Sequence, residues 1–156
     1  MDIALTVNGV ARRLEAAETS TLLDVLRNRL GLMGTRYGCG LEQCGSCMVL
    51  VDDQPTYACT REVGTLARRA VTTVEGLGSA EKPHPVQQAF LDEQAGQCGY
   101  CLSGIVMSTK ALLDRNPDPS RADIVAALDR HPCRCGAHQR ILRAVERAAA
   151  SLRGAA

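Results

Sequence analysis

Eight cysteines stand in this 156-residue chain, and the first four have the spacing of iron–sulfur ligands. Cys39, Cys44 and Cys47 form a C-x4-C-x2-C pattern, and Cys59 follows them downstream. Plant-type [2Fe–2S] clusters are held by thiolates with this spacing. The spacing suits the task because a loop can wrap a compact anionic cluster and present three thiolates from one side, while the fourth arrives on a separate element. We therefore predict that these four cysteines bind a [2Fe–2S] cluster.

Glycines in the same loop support an iron–sulfur site. Gly38, Gly40 and Gly45 lie next to or between the first three cysteines. Glycine adopts backbone conformations that a Cβ atom would obstruct. Bare N–H groups can then approach the sulfur atoms, and hydrogen bonds of that kind help to set the reduction potential of a cluster.

A second set of four cysteines, Cys98, Cys101, Cys133 and Cys135, falls in the C-terminal half. The C-x2-C pair begins one predicted helix and the C-x-C pair lies just before another, so one tetrathiolate site can join them. Helix N-termini also stabilise thiolates, because free N–H groups and the helix dipole favour negative charge. Zinc is the alternative metal, since zinc sites built from four cysteines often contain a C-x2-C pair. The tighter C-x-C spacing and the iron–sulfur loop on the same chain favour a second [2Fe–2S] cluster.

Composition and charge exclude several other classes of protein. Hydrophobic residues make up 46% and charged residues 22% of the chain, as in a globular protein. The net charge of +1 gives no electrostatic reason to expect binding to nucleic acid or to an anionic membrane. Residues 1–5 do not begin a secretory signal, and no apolar run is long enough to span a bilayer. Eight cysteines without such a signal indicate metal binding in a reducing compartment, and they predict a cytoplasmic protein.

The first cysteine set must be held by the elements of the N-terminal half, which we assign to residues 1–76. Alternating apolar residues predict strands, and the dipeptide Asn8-Gly9 predicts a tight turn that pairs the first two as a hairpin. A second turn is predicted at residues 52–55. The predicted strands are residues 3–7, 10–14, 48–51 and 71–74.

One helix is predicted between the hairpin and the cysteine loop. Thr19 or Ser20 can cap its N-terminus, and Gly31 can end it. Its apolar residues recur at helical spacing and fall on one face. They are Leu22, Leu23, Leu26 and Leu30.

Glycines and prolines after the last predicted strand indicate a linker at residues 77–85. Beyond it the apolar residues follow a helical period, which predicts four helices in residues 86–156. Pro85 suits the start of the first helix, and Ser120 with Asp123 resembles a capping box at the start of the third. The apolar residues of the fourth are Ile141, Leu142, Val145, Ala148, Ala149 and Leu152.

Over essentially its whole length the chain resembles the iron–sulfur subunit of the xanthine oxidase family of molybdenum hydroxylases. The resemblance implies an α+β fold, in which a β-grasp ferredoxin-like domain is followed by a four-helix bundle. The ending Cys133 to Ile141 is similar to small subunits of the isoquinoline, nicotinate or aldehyde type, although His138 stands where a tyrosine is common. The motifs that carry the resemblance are the Gly38–Cys47 loop, Gln97-Cys98-Gly99-Tyr100-Cys101, Asn116-Pro117-Asp118-Pro119 and Cys133-Arg134-Cys135-Gly136.

The resemblance implies an electron-transfer subunit with no catalytic residues of its own. A large partner subunit would carry a molybdopterin cofactor and hydroxylate an N-heterocycle or an aldehyde. Electrons would pass from molybdopterin to the C-terminal cluster, then to the N-terminal cluster, and then to an external acceptor such as a flavin subunit or a cytochrome. Gln97 matches a family position that approaches molybdopterin, whereas from the residue alone it could equally cap a helix start. A free-standing two-cluster ferredoxin and a zinc-stabilised adaptor remain the alternative functions.

Other residues near the cysteines have structural interpretations. Tyr37 and Tyr100 each stand beside a cysteine motif, and we predict that they pack over a cluster and shield it. Arg134 lies between two cysteines and could face a partner or offset the charge of a cluster. Histidines 84, 131 and 138 could suggest a Rieske-type site, in which two histidines replace two cysteines, but eight cysteines make them unnecessary as ligands.

Overall fold

A computed structural model describes residues 2–154 of the chain. Met1, Ala155 and Ala156, the outermost residues of the two predicted halves, lie outside the described residues. The N-terminal half contains strands β1 (Asp2–Val7), β2 (Val10–Glu15), β3 (Met48–Val51), β4 (Gln54–Tyr57) and β5 (Ala70–Thr72), and the short helix α1 (Leu22–Asp24). The C-terminal half contains helices α2 (Pro85–Asp92), α3 (Leu102–Arg115), α4 (Arg121–Leu128) and α5 (His138–Gly154). This arrangement confirms the α+β class.

The five strands form one mixed sheet in the order β2-β1-β5-β3-β4. Strands β1 and β5 are parallel, and the other neighbours are antiparallel. The predicted hairpin of β1 and β2 is confirmed, with Val7 opposite Val10. Its turn residues Asn8 and Gly9 both have positive φ, 51° and 77°, as a two-residue hairpin of type I′ requires.

The predicted helix between hairpin and cysteine loop exists, but its cap and its geometry differ from expectation. Thr21 is the N-cap, because its hydroxyl accepts the Asp24 N–H at 3.2 Å, so the assignment to Thr19 or Ser20 is wrong. After one α-helical turn the segment Val25–Arg29 becomes a π-helix. Three of the four predicted apolar residues, Leu22, Leu23 and Leu26, are buried, and Leu30 is half-buried.

Strand β4 was not predicted from the sequence. Asp52 and Asp53, with φ of 47° and 63°, make the turn alone, and Gln54 and Pro55 already belong to β4. Pro55 is tolerated because β4 is an edge strand, where a missing N–H donor breaks no ladder. The last strand ends earlier than predicted, and Val74–Gly76 forms a 3-10 turn instead.

The four predicted helices of the C-terminal half are present. The capping box of α4 is confirmed, since Ser120 and Asp123 exchange side-chain and backbone hydrogen bonds. Helix α2 is capped by His84, whose Nδ1 accepts the Val86 N–H at 3.2 Å. No helix in residues 2–154 is long and apolar enough to cross a membrane.

Within the part of the chain that the structure describes, three groups of buried residues form the core. One lies under the sheet, and another lies among α2, α3, α4 and α5. The third joins the two halves, because Met48 and Leu50 of β3 pack against Met107 and Ala111 of α3. The division of the chain into residues 1–76, 77–85 and 86–156 remains a prediction.

Candidate metal centres

The hairpin of β3 and β4 brings the fourth N-terminal cysteine to the other three. Cys47 directly precedes β3, and Cys59 follows β4 by two residues. Met48 pairs with Tyr57 in the hairpin, and the Ala58 N–H donates to the Cys47 carbonyl at 3.2 Å. The ends of this hairpin therefore hold Cys47 and Cys59 side by side, beneath the loop that carries Cys39 and Cys44.

Backbone N–H groups of the loop point at its sulfur atoms. The Sγ of Cys39 accepts from the N–H of Leu41 at 3.3 Å and from that of Gln43 at 3.2 Å. The Sγ of Cys44 accepts from the Cys39 N–H at 3.3 Å. Although burial opposes it, these donors lower the pKa of Cys39 to about 7. The loop therefore stabilises the thiolate form of Cys39, which is the form that binds a metal.

The interior side of the same site contains the buried Cys47. Burial raises the pKa of Cys47 to about 12, and the adjacent Cys59 contributes to the rise. A coordinated thiol is deprotonated by the metal itself, so a raised pKa makes binding pH-dependent and does not prevent it. Gly38 is required on the other side of the loop, because a Cβ there would lie 2.5 Å from the Cys44 sulfur.

The second cysteine set is assembled by two loops of the helical half. Cys98 and Cys101 precede α3, with Cys101 at its N-cap, and Cys133 and Cys135 lie between α4 and α5. The Tyr100 N–H is the main cause that lowers the pKa of Cys98, and the thiol of Cys135 adds to it. Burial is the main cause that raises the pKa of Cys101 to about 12, and the neighbouring Cys133 adds to it. The loops thus bring together Cys98 with Cys135 and Cys101 with Cys133.

Cys133, the most buried cysteine of this second set, has several backbone donors around its sulfur. Burial tends to raise the pKa of Cys133, but the Ala137 backbone and then the Cys101 thiol lower it on balance. The N–H of Cys133 itself donates to Nε2 of His138 at 3.3 Å. His138 therefore has a role that was not predicted from the sequence, since it shapes the C-x-C loop without being a ligand.

The donors of both sets fit a binuclear cluster. Each set consists of two neighbouring cysteine pairs: Cys39 with Cys44, Cys47 with Cys59, Cys98 with Cys135, and Cys101 with Cys133. A [2Fe–2S] cluster takes four thiolates over two irons, whereas a structural zinc takes four at about 2.3 Å from one point. Two neighbouring pairs of thiolates in each set suit the two irons of a [2Fe–2S] cluster.

Polar contacts join the two cysteine loops at the surface. The Arg36 guanidinium donates to the Gly99 carbonyl at 2.8 Å and lies 5.2 Å from the centre of the Tyr100 ring. The Tyr100 hydroxyl donates to the Tyr37 carbonyl. Tyr37 and Tyr100 are 59% and 49% exposed, and their role as shields of a cluster stays a prediction. Together with Arg36 they connect the two loops.

Gln97 lies on an exposed bend directly before the exposed Cys98. Helix α3 begins at Leu102 with Cys101 as its N-cap, so the helix-cap interpretation of Gln97 is wrong.

Arg134 is exposed, on the outside of the C-x-C loop. Burial lowers the pKa of His131 to about 4, so this ring is neutral.

Two family models of iron–sulfur domains match the chain. The model described as "2Fe-2S iron-sulfur cluster binding domain" matches residues 5–68, and the one described as "[2Fe-2S] binding domain" matches residues 73–146. Each range contains one of the two cysteine sets. The chain therefore has two [2Fe–2S]-binding domains.

Similar proteins match the chain over nearly its whole length. One subunit of nicotinate dehydrogenase from Pseudomonas putida is 52% identical, over 97% of this chain and 96% of that protein. The alpha subunit of isoquinoline 1-oxidoreductase from Brevundimonas diminuta is 45% identical, over 94% and 97% of the two chains.

Solved structures of similar sequence have the same fold. The crystal structure of quinoline 2-oxidoreductase from Pseudomonas putida 86 contains a chain that is 33% identical, with a TM-score of 0.93 over 99% of this chain and 96% of that one. Aldehyde oxidoreductase from Desulfovibrio gigas is 38% identical with a TM-score of 0.95, and the match spans all of this chain but 18% of that longer one. These likenesses confirm the predicted β-grasp ferredoxin-like domain followed by a four-helix bundle.

Proposed function

Because the chain belongs to the iron–sulfur subunits of the xanthine oxidase family of molybdenum hydroxylases, we propose that it transfers electrons for a partner that carries out the oxidation. The observation that carries the proposal is a pair of four-cysteine sites within one fold, on loops that contact each other. When bound, each cluster would accept and release one electron at a time. The eight cysteines would hold the clusters, and the N–H groups around Cys39 and Cys133 would adjust their potentials. The burial of Cys47 would keep water away from the N-terminal cluster.

The proposed direction of transfer runs from the helical half to the sheet half. Gln97 and Cys98 are both exposed, so a molybdopterin held by a large partner subunit could approach the C-terminal site there. The N-terminal site exposes a different loop, on which Leu41 is 68% exposed. An external acceptor, such as a flavin subunit or a cytochrome, could approach the N-terminal site from that side.

We propose an N-heterocycle or an aldehyde as the substrate of the partner subunit. Nicotinate, isoquinoline, quinoline and aldehyde appear in the names of the similar proteins. The chain itself holds no substrate site in this proposal. Free cysteines that serve as metal ligands suit a reducing compartment, and we propose the cytoplasm as its location.

Metal analysis of the purified native protein tests the proposal. We expect about four irons and four acid-labile sulfides per chain, as two binuclear clusters, together with a large molybdenum-bearing chain that co-purifies. Two irons and one zinc, after anaerobic reconstitution, would indicate the zinc-stabilised adaptor. Two clusters on a chain that never associates with a molybdenum-bearing partner would indicate a free-standing ferredoxin.

A further inference from the structure

The two cysteine loops touch in the interior of the protein, between Gly45 and His131. Gly45 follows Cys44 in the N-terminal loop, and His131 lies two residues before Cys133 in the C-terminal loop. A Cβ atom on Gly45 would lie 2.2 Å from Nδ1 of His131, so the imidazole rests directly on the glycine backbone. Gly45 also has a φ of +68°, which favours glycine. The loop that carries the N-terminal cysteines thus packs directly against a side chain of the C-terminal cysteine loop.

The imidazole of His131 is fixed from its far side. His131 is 4% exposed, and its Nε2 is hydrogen-bonded to Oγ of Ser108, on α3, at 2.7 Å. Its Nδ1, on the side of Gly45, has no hydrogen-bond partner among the described residues. Leaving a buried ring nitrogen without a hydrogen-bond partner costs free energy. What the ring gains in this position is close packing against Gly45. The Ser108 bond therefore aims the ring at Gly45.

Helix α3 encloses Gly45 from a second direction. A Cβ atom on Gly104 would lie 1.9 Å from the Gly45 carbonyl oxygen, so helix and loop are in direct backbone contact. Gly45 is therefore confined between the α3 backbone and the His131 ring. Both the α3 backbone and the His131 ring belong to the C-terminal half, whereas Gly45 belongs to the N-terminal half. Each also connects directly to the second cysteine set, α3 through Cys101 and His131 through Cys133.

From this contact we propose that His131, held by Ser108, is a positioning residue that fixes the separation and orientation of the two clusters relative to each other. The inference rests on the proposed function, because it requires both clusters to be present. In the proposed relay, the electron that the C-terminal cluster would lose is the one that the N-terminal cluster would gain, and no bond would form or break. A buried histidine that merely fills space would stabilise the fold without controlling this geometry.

Magnetic coupling between the clusters distinguishes a histidine that positions them from one that only fills space. Each singly reduced [2Fe–2S] cluster carries an unpaired electron, and the coupling of two such spins depends steeply on their distance and orientation. We would reduce the cluster-loaded native protein fully and measure the spin–spin splitting by low-temperature electron paramagnetic resonance. The variants are His131→Leu, which fills the space without the hydrogen bond, His131→Gln, whose amide can reach Ser108, and Ser108→Ala. Thr109→Val is the matched control, because Thr109 is also buried on α3 and its hydroxyl has no partner among the described residues.

The expected result is a changed splitting in His131→Leu and in Ser108→Ala, to the same extent, with no further change in the double variant. His131→Gln and Thr109→Val should keep the splitting of the wild type. If His131→Leu does not fold, Ser108→Ala decides the matter, since it removes a single oxygen atom.

Unchanged splitting in Ser108→Ala, with both clusters fully loaded, would overturn the inference, as would a wild type that holds both clusters without any splitting. A wild type that fails to bind two clusters would overturn the proposed function instead, and iron and sulfide analysis of the same sample identifies that case.

Discussion

Replacing Met107 with alanine should destabilise both halves of the chain together. Met107 is 0% exposed on α3 and packs with Met48 and Leu50 of β3 in the core group that joins the halves. Truncation of a buried methionine removes transfer free energy and leaves a cavity, at a cost of about 2–5 kcal/mol. Because Met48 is itself flexible enough to fill part of the space, we expect a loss near the lower end, about 2–3 kcal/mol.

Urea-induced unfolding of the cluster-loaded chain under anaerobic conditions measures this loss. Far-ultraviolet circular dichroism follows the backbone, and visible absorbance follows the clusters. Met33→Ala is the matched control, since the same truncation at a residue that is 55% exposed should change the free energy of unfolding by no more than about 0.5 kcal/mol. Met107→Leu conserves volume and should cost less than about 1.5 kcal/mol.

Both signals should shift to lower urea concentration together in Met107→Ala, because the cavity lies between the halves. A Met107→Ala protein as stable as Met33→Ala would refute the importance of the joining core. Separate transitions, with only one half weakened, would show that the halves unfold independently.

Three further predictions concern single residues. Cys59→Ser should abolish the N-terminal cluster and its electron paramagnetic resonance signal, while the signal of the C-terminal cluster remains without inter-cluster splitting; loss of both signals from soluble protein would contradict this. Thr21→Ala should lower the free energy of unfolding by about 0.5–2 kcal/mol through loss of the N-cap, whereas Thr19→Ala, at an exposed residue, should be nearly neutral. Gln97→Ala should leave the iron content unchanged and slow the reduction of the clusters by substrate several-fold, because one hydrogen bond of about 0.5–1.5 kcal/mol is lost. Identical reduction rates in the wild type and the variant would leave this residue without a role at the cofactor.

The features that could be predicted from the sequence are those with local signals. The Asn8-Gly9 turn and the Ser120–Asp123 capping box each lie within a few residues of the chain, and both are present. Strand β4 could not be predicted in this way, because Pro55 is admitted by the position of β4 at the sheet edge, which is a tertiary property. The same holds for the π-helix at Val25–Arg29, whose shifted hydrogen bonds have no signature in residue type.

The cysteine sets were recognisable from spacing, but the residues that relate one set to the other were not. Arg36 meets Gly99 across 63 positions in sequence, and His131 meets Gly45 across a still longer interval. Nothing in the local sequence marks an arginine or a histidine for such a contact. The only indirect signal of the contact with Gly45 was the position of His131, two residues before the predicted ligand Cys133.

The two kinds of contact between the cysteine loops differ in how firmly they can hold the clusters. Arg36 and Tyr100 act at the surface, where a cation–π contact contributes about 0.5–1 kcal/mol and solvent competes for each hydrogen bond. A thermal fluctuation can open such contacts without moving the core. Gly45, in contrast, is confined between the His131 ring and the α3 backbone, and close-packed interiors yield little to displacement. The surface contacts can therefore limit how far the exposed sides of the loops separate, but the distance between the clusters must be set at the buried contact.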